Sequence, residues 1–232
     1  MLKNPVAIVT GGSRGVGAAT AKILSSNGWN VLITCSSSLE AAEIIAAECS
    51  SKNSIVLAIK ADVANDEDCI LTVGAAIKKW GRVDALVNNA GTTKFVWNHG
   101  DLQEIDAVDF QNIYSVNVIG PFQMVRASKM HLLKSDNPSI INVSSIAGIK
   151  GIGSSIAYAA SKGALNTMTL SMARNLGPIR VNAVCPGFIE GEWLKKGMGE
   201  ERFEATKLHI QNTSPLGKTC SPESIAELSL IH

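Results

Sequence analysis

The sequence lacks the features expected of a chain that binds nucleic acid, spans a membrane or folds around disulfides. Its net charge is only +1, and basic and acidic residues are interspersed, which argues against a polyanion partner. No apolar stretch reaches the roughly 18 residues that cross a bilayer, and the apolar segment that starts at Pro5 predicts a strand, so no secretory leader is expected. The five cysteines show no metal-ligand spacing, which predicts reduced thiols, no metal site and a cytoplasmic location.

The sequence does contain a regular alternation of short apolar runs and helical patterns. Strands are predicted at residues 5–10, 30–34, 55–60, 85–87, 139–143 and 179–184. Helices are predicted at 18–27, 39–49, 66–80 and 157–176, with one long helix inside 110–134. Because apolar strands separated by helices form parallel sheets covered on both faces, we expect a doubly wound α/β fold. No linker divides residues 1–232, so a single domain is expected.

The first predicted strand leads into a glycine-rich turn, GGSRGVG, that ends at the first helix. Glycine leaves no Cβ between backbone N–H groups and a pyrophosphate, and a helix N-terminus adds partial positive charge. The turn therefore predicts a dinucleotide-phosphate site, although a glycine-rich turn without a ligand is the alternative. The residues assigned to this site are Gly11, Ser13, Arg14, Gly15, Val16 and Gly17.

The turn after the second strand bears on the choice of coenzyme. An acidic residue there would bind the ribose 2′-hydroxyl of NAD and repel a 2′-phosphate. Here Ser36 and Ser37 follow the strand, the first acid is Glu40 inside the next helix, and Arg14 adds a cation. Hydroxyl donors and a guanidinium suit a phosphate, so NADPH is predicted, with NAD as the less favoured alternative.

A tyrosine and a lysine share one face of the predicted helix 157–176. Tyr158 and Lys162 are four residues apart, and Tyr114, the only other tyrosine, has no such lysine. A nearby ammonium lowers the pKa of a phenol from about 10, and such a phenol can exchange a proton with a carbonyl or alcohol oxygen. Ser145 follows the fifth strand, where ligands of parallel sheets bind. It is either a substrate contact or a plain turn residue.

These motifs, with NNAG at 88–91 and Pro186-Gly187, resemble the short-chain dehydrogenase/reductase family from Val6 to about Ala226. The resemblance implies a Rossmann-type fold, hydride transfer between NAD(P) and a small-molecule carbonyl or alcohol, and a homodimer or homotetramer. It implies Tyr158 as general acid/base, assisted by Asn117, Ser145 and Lys162. The further coenzyme contacts that it implies are Asp62, Val63, Asn89, Ala90, Gly91, Pro186, Gly187 and Ile189.

The resemblance also implies individual roles. Asp62-Val63 would contact the adenine, Asn89 would lie near a ribose, and the Ile189 backbone would contact the nicotinamide carboxamide. Lys162 would bind the nicotinamide ribose and lower the pKa of the tyrosine, while Asn117 would support Lys162 through water.

The sequence departs from the family pattern in two places. Gly191 stands where members of the family often carry threonine after Pro-Gly, so contact with the carboxamide is expected to be looser or supplied by the backbone. Members of the family also continue into a seventh strand, and here the last predicted element is a helix starting at Ser221-Pro222. We therefore expect that a C-terminal strand is missing and that the sequence is truncated; a short terminal helix is the alternative.

The substrate is left open by the sequence. Residues 190–216 are amphipathic and predict a lid over an apolar pocket, with Phe95 and Trp97 at the same mouth; a surface excursion is the alternative. Within the family, GGSRGVG, NNAG and the segment 185–190 resemble the 3-oxoacyl-(acyl-carrier-protein) reductases. Residues 135–138 and 177–178, however, are poor in the positive charge that would dock a carrier protein. A small-molecule ketone reductase fits equally well. A non-catalytic dinucleotide-binding regulator is the alternative of another class, and the intact Tyr/Lys pair argues against it.

Overall fold

The computed structural model describes residues 4–231, with side chains up to Leu228 in the last helix. Six parallel strands form one sheet in the order β3-β2-β1-β4-β5-β6. The strands are β1 Val6–Val9, β2 Asn30–Cys35, β3 Val56–Lys60, β4 Ala85–Asn88, β5 Ser139–Val143 and β6 Arg180–Val184. Each predicted strand is confirmed, with ends that differ by at most one residue. Within the described residues, β6 is the last strand and forms one edge of the sheet.

Ten α-helices connect and cover the strands within the described residues. They are α1 Gly15–Ser26, α2 Leu39–Cys49, α3 Asp66–Trp80, α4 Ala107–Tyr114, α5 Gly120–Leu132, α6 Ala147–Lys150, α7 Ile156–Asn175, α8 Glu192–Met198, α9 Glu200–Thr213 and α10 Pro222–Ile231. Local signals explain several ends: the Asn65 side chain accepts from the first turn of α3, and Gly81 ends that helix in the left-handed region. The predicted helix start at Ser221-Pro222 is confirmed by α10.

The central strand β1 separates two apolar layers. Val6 and Ile8 belong to a core that includes residues of α3, α5 and α7, whereas Ala7 and Val9 belong to a core with α1, α2 and α10. All four side chains are fully buried. Side chains alternate across a strand, so a run that is apolar at every position has to be covered on both faces, and this is the doubly wound arrangement predicted.

The long helix predicted within 110–134 is present, but it begins at Ala107 and contains a π-helical turn. A π-helical turn, Ser115–Ile119, lies between α4 and α5. Pro121 has no N–H, so the Asn117 carbonyl lacks the donor four residues on that an α-helix would supply. Gly120 lets the helix approach the segment after β3, since a Cβ there would lie 2.7 Å from Val63 Cγ2. This break places Asn117 in an irregular turn.

The structure bears on two predictions from composition, one about the cysteines and one about membrane-spanning helices. All five cysteines lie within the described residues and carry free thiols, as their spacing predicts. None of the helices in residues 4–231 has the length and apolarity needed to cross a bilayer.

Candidate active site

The segments that carry the predicted site residues follow the carboxyl ends of the parallel strands. The glycine-rich loop follows β1, residues 89–91 follow β4, Ser145 follows β5 and residues 186–189 follow β6. The carboxyl ends of parallel strands lie at one edge of the sheet, and β1 and β4 flank the point where the strand order reverses. The fold therefore collects the predicted residues at the edge where ligands of such sheets bind.

The loop between β1 and α1 is shaped as an anion cradle. A Cβ on Gly17 would overlap the Gly11 carbonyl oxygen and lie 2.5 Å from Asn89 Nδ2, so only glycine fits there. The first turn of α1 contains no acidic residue, and its N-cap Arg14 makes no side-chain cap among the described residues. The N–H groups at this helix start are thus directed to the loop without a carboxylate or hydroxyl that satisfies them, as anion binding requires.

The remaining loop residues lie toward the open side of this cradle. Ser13 and Val16 are half-buried, whereas Arg14 and Gly15 are exposed. Gly15 has a φ of 54°, in the left-handed region, and no heavy atom of the described residues lies within 4 Å of the place where its Cβ would be. The residue types and the open space fit a bound pyrophosphate.

Asn89 holds the cradle in shape. Its side-chain amide donates to the carbonyl oxygens of Thr10 and Gly11, each at 2.9 Å. The backbone N–H groups of Asn89 and Ala90 both donate to Thr10 Oγ1 at 3.0 Å. The amide expected near a ribose is therefore bonded to the loop itself, a function that the sequence motif did not indicate.

The end of β2 lies directly beside the same loop. Gly11 N–H donates to Thr34 Oγ1 at 3.3 Å, and Gly12 N–H donates to the Thr34 carbonyl at 2.8 Å. Ser36 and Ser37, immediately after this strand, are exposed. The fold thus brings two hydroxyls near the start of the loop that carries Arg14, while Glu40 lies inside α2 as predicted.

Asp62 and Val63 follow β3 on the same edge. The Asp62 carboxylate accepts from the Ala64 N–H at 3.0 Å, and the Asp62 N–H donates to the Asp68 carboxylate at 2.8 Å. Val63 is buried, and its carbonyl accepts from the Gln123 amide at 2.8 Å. Both residues of the predicted adenine contact are therefore held in a rigid turn.

The side chains of Ser145, Tyr158 and Lys162 lie close together near the carboxyl end of β5. The Ser145 hydroxyl lies close enough to the Tyr158 phenol to interact with it by hydrogen bonding. Lys162 Nζ donates to the Val143 carbonyl at 2.8 Å and lies 5.7 Å from the centroid of the Tyr158 ring. The three groups predicted from spacing are thus brought together from the turn after β5 and from α7.

Burial dominates the electrostatics of this group. Desolvation raises the pKa of the Tyr158 phenol, and the hydrogen bond with Ser145 opposes that rise only in part. Desolvation also lowers the pKa of Lys162 to about 8, because the amine is almost completely buried. The net direction for the phenol is opposite to the lowering expected from the lysine charge, since the sequence does not show how deeply the ring is buried.

The Asn117 side chain is fully engaged in the π turn. Its Oδ1 accepts from the Thr92 N–H at 2.8 Å, and its Nδ2 donates to the Thr92 carbonyl at 2.9 Å and to Ser161 Oγ at 3.0 Å. Gly91 lies between Asn117 and Lys162, because a Cβ there would be 3.5 Å from Asn117 Oδ1 and 3.8 Å from Lys162 Nζ. Support for the lysine from Asn117 therefore has to come from its main chain.

The segment after β6 is tied to the Ser145 turn. The Pro186 carbonyl accepts from the Ile146 N–H at 3.0 Å, and Gly187 packs against Ile146. Ile189 forms a parallel bridge with Cys220, and Glu190 N–H donates to the Cys220 carbonyl at 2.9 Å. Residues 190–219 thus leave the domain and return to it at adjacent positions.

Aromatic contacts join the predicted lid to the loop after β4. The Phe95 ring lies 5.1 Å from Trp97 and 5.5 Å from Trp193 on α8. Gly197 also packs on Phe95, since a Cβ there would overlap the ring. Arg202 on α9 lies over Trp97 at 5.0 Å. The segment predicted to form a lid, which contains α8 and α9, therefore contacts Phe95 and Trp97, the two residues predicted to lie at the same mouth.

The same loop is fixed to the segment that precedes Tyr158. Val96 N–H donates to the Ser154 carbonyl at 2.6 Å, and the hydroxyls of Thr93 and Ser154 are 2.6 Å apart. Sequence reasoning did not identify Ser154 or Ser161, because single serines carry no pattern. The proline four residues after Asn117 was the one signal that could have predicted the break in the helix.

A dinucleotide cradle and a buried Tyr/Lys/Ser group at one sheet edge define a Rossmann-type oxidoreductase. A family model described as short chain dehydrogenase matches residues 5–201. The protein assigned as ketoacyl reductase 2 of the granaticin polyketide synthase of Streptomyces violaceoruber is 40% identical over 227 residues, 97% of this chain and 88% of the relative. The 3-oxoacyl-(acyl-carrier-protein) reductase of Synechocystis is 32% identical over 223 residues, 95% of this chain and 85% of the relative.

Solved structures agree with this family assignment. A short-chain dehydrogenase/reductase from Burkholderia xenovorans superposes with a TM-score of 0.88 at 40% identity, covering 100% of this chain and 91% of that one. A short-chain dehydrogenase/reductase of Serratia marcescens gives a TM-score of 0.85 at 33% identity, covering 99% and 90%. The chain belongs to the short-chain dehydrogenase/reductase family. It is an NAD(P)-dependent oxidoreductase that interconverts a carbonyl and an alcohol.

Proposed function

We propose that this protein is an NADPH-dependent carbonyl reductase in which Tyr158 is the general acid/base. The observation that carries the proposal is the convergence of the Tyr158 phenol, the Ser145 hydroxyl and the buried Lys162 amine at the carboxyl edge of the sheet. The bound coenzyme supplies the hydride in reduction and accepts it in oxidation. The residues from 11 to 17 would hold its pyrophosphate, with Asp62-Val63 at the adenine and Pro186, Gly187 and Ile189 at the nicotinamide.

Each side chain of the site has a separate role in the proposed proton transfer. Tyr158, with its raised pKa, carries a proton at neutral pH and can donate it to the substrate oxygen that becomes an alcohol. Ser145, hydrogen-bonded to the same phenol, orients that oxygen. Lys162 in its ammonium form stabilises the phenolate left behind, and its burial strengthens that interaction.

The coenzyme preference follows from the residues around the cradle. We expect kcat/KM to be at least about tenfold higher with NADPH than with NADH, measured by absorbance at 340 nm with a panel of ketones, because one charge-assisted hydrogen bond supplies that factor. Arg14→Ala is expected to remove most of the preference, since Arg14 is the cation of the loop. Lys22→Ala removes an exposed cation further along α1 and is the matched control. An NADH preference, or an equal loss in both variants, contradicts the proposal.

The mouth of the site suits a substrate with an apolar body. Phe95, Trp97 and Trp193 form a contiguous aromatic cluster, and the two tryptophans remain partly exposed. We propose that this cluster contacts the part of a ketone remote from the carbonyl. A 3-oxoacyl thioester on a carrier protein is the second candidate, favoured by the relatives of that activity. Turnover of the free thioester compared with the carrier-bound thioester separates the two.

The aromatic cluster makes a prediction for substrate selection. Trp193→Ala is expected to raise KM for a bulky aryl ketone by about tenfold, because an apolar contact that becomes buried when the substrate binds is worth about one to a few kcal/mol. The KM for a small methyl ketone, which does not reach the cluster, is expected to stay unchanged and serves as the internal control. Equal changes in the steady-state KM values of both ketones would show that the cluster lies outside the substrate path.

We further propose a cytoplasmic homodimer or homotetramer. Phe122 and Met130 on α5 and Leu170 on α7 leave about half or more of their apolar surface exposed. Exposed apolar side chains on surface helices favour association with a second copy of the same chain.

A further inference from the structure

A chain of two hydrogen bonds runs from the π turn into the catalytic helix through one hydroxyl. Asn117 Nδ2 donates to Ser161 Oγ at 3.0 Å, and Ser161 Oγ donates to the backbone carbonyl of Tyr158 at 2.7 Å. Ser161 is completely buried, so neither bond is exchanged with solvent. The hydroxyl is therefore saturated between two protein groups, one on each element.

The Ser161 hydroxyl lies where it can affect the positions of Tyr158 and Lys162. Ser161 lies on α7 between Tyr158 and Lys162, and its bond is to the tyrosine's own backbone. Asn117, at the other end, also binds the backbone N–H and carbonyl of Thr92. The Asn117 side chain thus connects three segments: the loop after β4 at Thr92, the π turn and the first turns of α7.

These segments surround the space that contains the Lys162 amine. Gly91 approaches both Asn117 Oδ1 and Lys162 Nζ, so the amide and the amine line the same small volume. Among the described residues, Lys162 Nζ donates to the Val143 carbonyl, which it reaches from α7. A shift of α7 against the π turn would therefore change how the amine lies relative to the phenol.

We propose that Ser161 is a positioning residue that locks the Tyr158–Lys162 pair to the π turn through Asn117. It does not touch the reacting atoms, and the proposal rests on the proposed function of Tyr158. Displacements of about 1 Å at a catalytic group lower turnover strongly, so one bond that fixes the helix has a measurable effect on rate.

The same helix contains a matched control. Thr169 is buried on α7, accepts from Asn142 Nδ2 at 2.9 Å and donates to the Leu165 carbonyl at 2.8 Å. It makes the same pair of bonds as Ser161, to an amide on another element and to its own helix, but two turns beyond Lys162. Removing either hydroxyl removes equivalent hydrogen bonds, and only one of the two is attached to the tyrosine.

The experiment compares Ser161→Ala with Thr169→Val in the full-length protein. Both variants are expected to lower Tm by a similar amount, because each removes one acceptor of a buried side-chain amide and one hydrogen bond within α7. Only Ser161→Ala is expected to lower kcat, by about tenfold, with the Kd for NADPH unchanged within about twofold. Ser161→Thr, which keeps the hydroxyl, is expected to restore kcat. Equal kcat values in Ser161→Ala and Thr169→Val would overturn the proposal.

A spectroscopic readout tests the same inference without turnover. The chain contains two tyrosines, so a Tyr114→Phe background leaves Tyr158 as the only phenol that ionises. We expect Ser161→Ala to shift its ultraviolet titration midpoint toward the ordinary pKa of about 10, as water gains access, and Thr169→Val to leave it in place. An unshifted midpoint in Ser161→Ala counts against the proposal.

Two further outcomes remain decisive. If Ser161→Ala does not fold, Ser161→Cys, which keeps the size and weakens both bonds, is compared with the same control and must show the same loss of kcat. If Tyr158→Phe retains full turnover, the proposed function fails; if Tyr158→Phe is inactive and Ser161→Ala is normal, only the role of Ser161 fails.

Discussion

Tyr158→Phe is expected to lower kcat for carbonyl reduction by about 10³-fold, within the range of general acid/base catalysis. The variant keeps the ring, which packs beside Gly153, and removes only the hydroxyl that is bonded to Ser145. The Kd for NADPH, measured by fluorescence titration, should change by no more than about twofold, because an interaction made only in the transition state lowers kcat and leaves ground-state binding intact. Turnover is followed at 340 nm.

The second tyrosine provides the control for this prediction. Tyr114 on α4 stacks with Phe110 at a centroid distance of 6.5 Å and lies outside the Tyr158 group. Tyr114→Phe is expected to leave kcat near the wild-type value. Turnover of Tyr158→Phe at the level of Tyr114→Phe would remove the assigned mechanism.

Gly17→Ala is expected to weaken NADPH binding by about 100-fold or more, a loss of nearly 3 kcal/mol. The added methyl would overlap the Gly11 carbonyl and press on the Asn89 amide that braces the loop. The Gly11 carbonyl is backbone, and the Asn89 amide is held by hydrogen bonds to the Thr10 and Gly11 carbonyls, so the loop itself has to move and the cradle of N–H groups is lost. Calorimetric titration measures the affinity and a thermal melt measures the cost to the fold.

Gly74→Ala is the corresponding control within a helix. Gly74 is exposed in the middle of α3, and no heavy atom of the described residues lies within 4 Å of an added Cβ. Alanine should stabilise the fold by about 0.5–1 kcal/mol and leave coenzyme affinity unchanged. If Gly17→Ala binds NADPH as tightly as Gly74→Ala, the glycine-rich turn is not the phosphate site.

The sequence predicts the sheet and most helices because their signals are local. Residues 39–49 and 66–80 are helical as predicted, since Ser38 and Asn65 cap their starts and Gly81 ends the second. The strands are apolar at nearly every position, which specifies burial on both faces. The motif spacing also brings Tyr158, Ser145 and Lys162 together as expected.

The parts that the sequence does not reveal depend on contacts between distant positions. Asn117 and Ser161 are 44 residues apart, and no local pattern pairs an amide in one helix with a hydroxyl in another. The bracing of the loop by Asn89 spans 78 residues to Gly11. The direction of the Tyr158 pKa shift depends on how completely the fold excludes water from the ring, which neighbouring charges in the sequence cannot indicate.

The bridge between Ile189 and Cys220 has a consequence for how such an enzyme diversifies. Because Cys220 N–H donates to the Phe188 carbonyl at 3.1 Å, the excursion closes on itself before it reaches the sheet. Its length and composition can therefore vary while its two ends stay joined at Ile189 and Cys220. Under the proposed lid role, exchange of this segment would change the substrate that is accepted and leave the Tyr158 group in place.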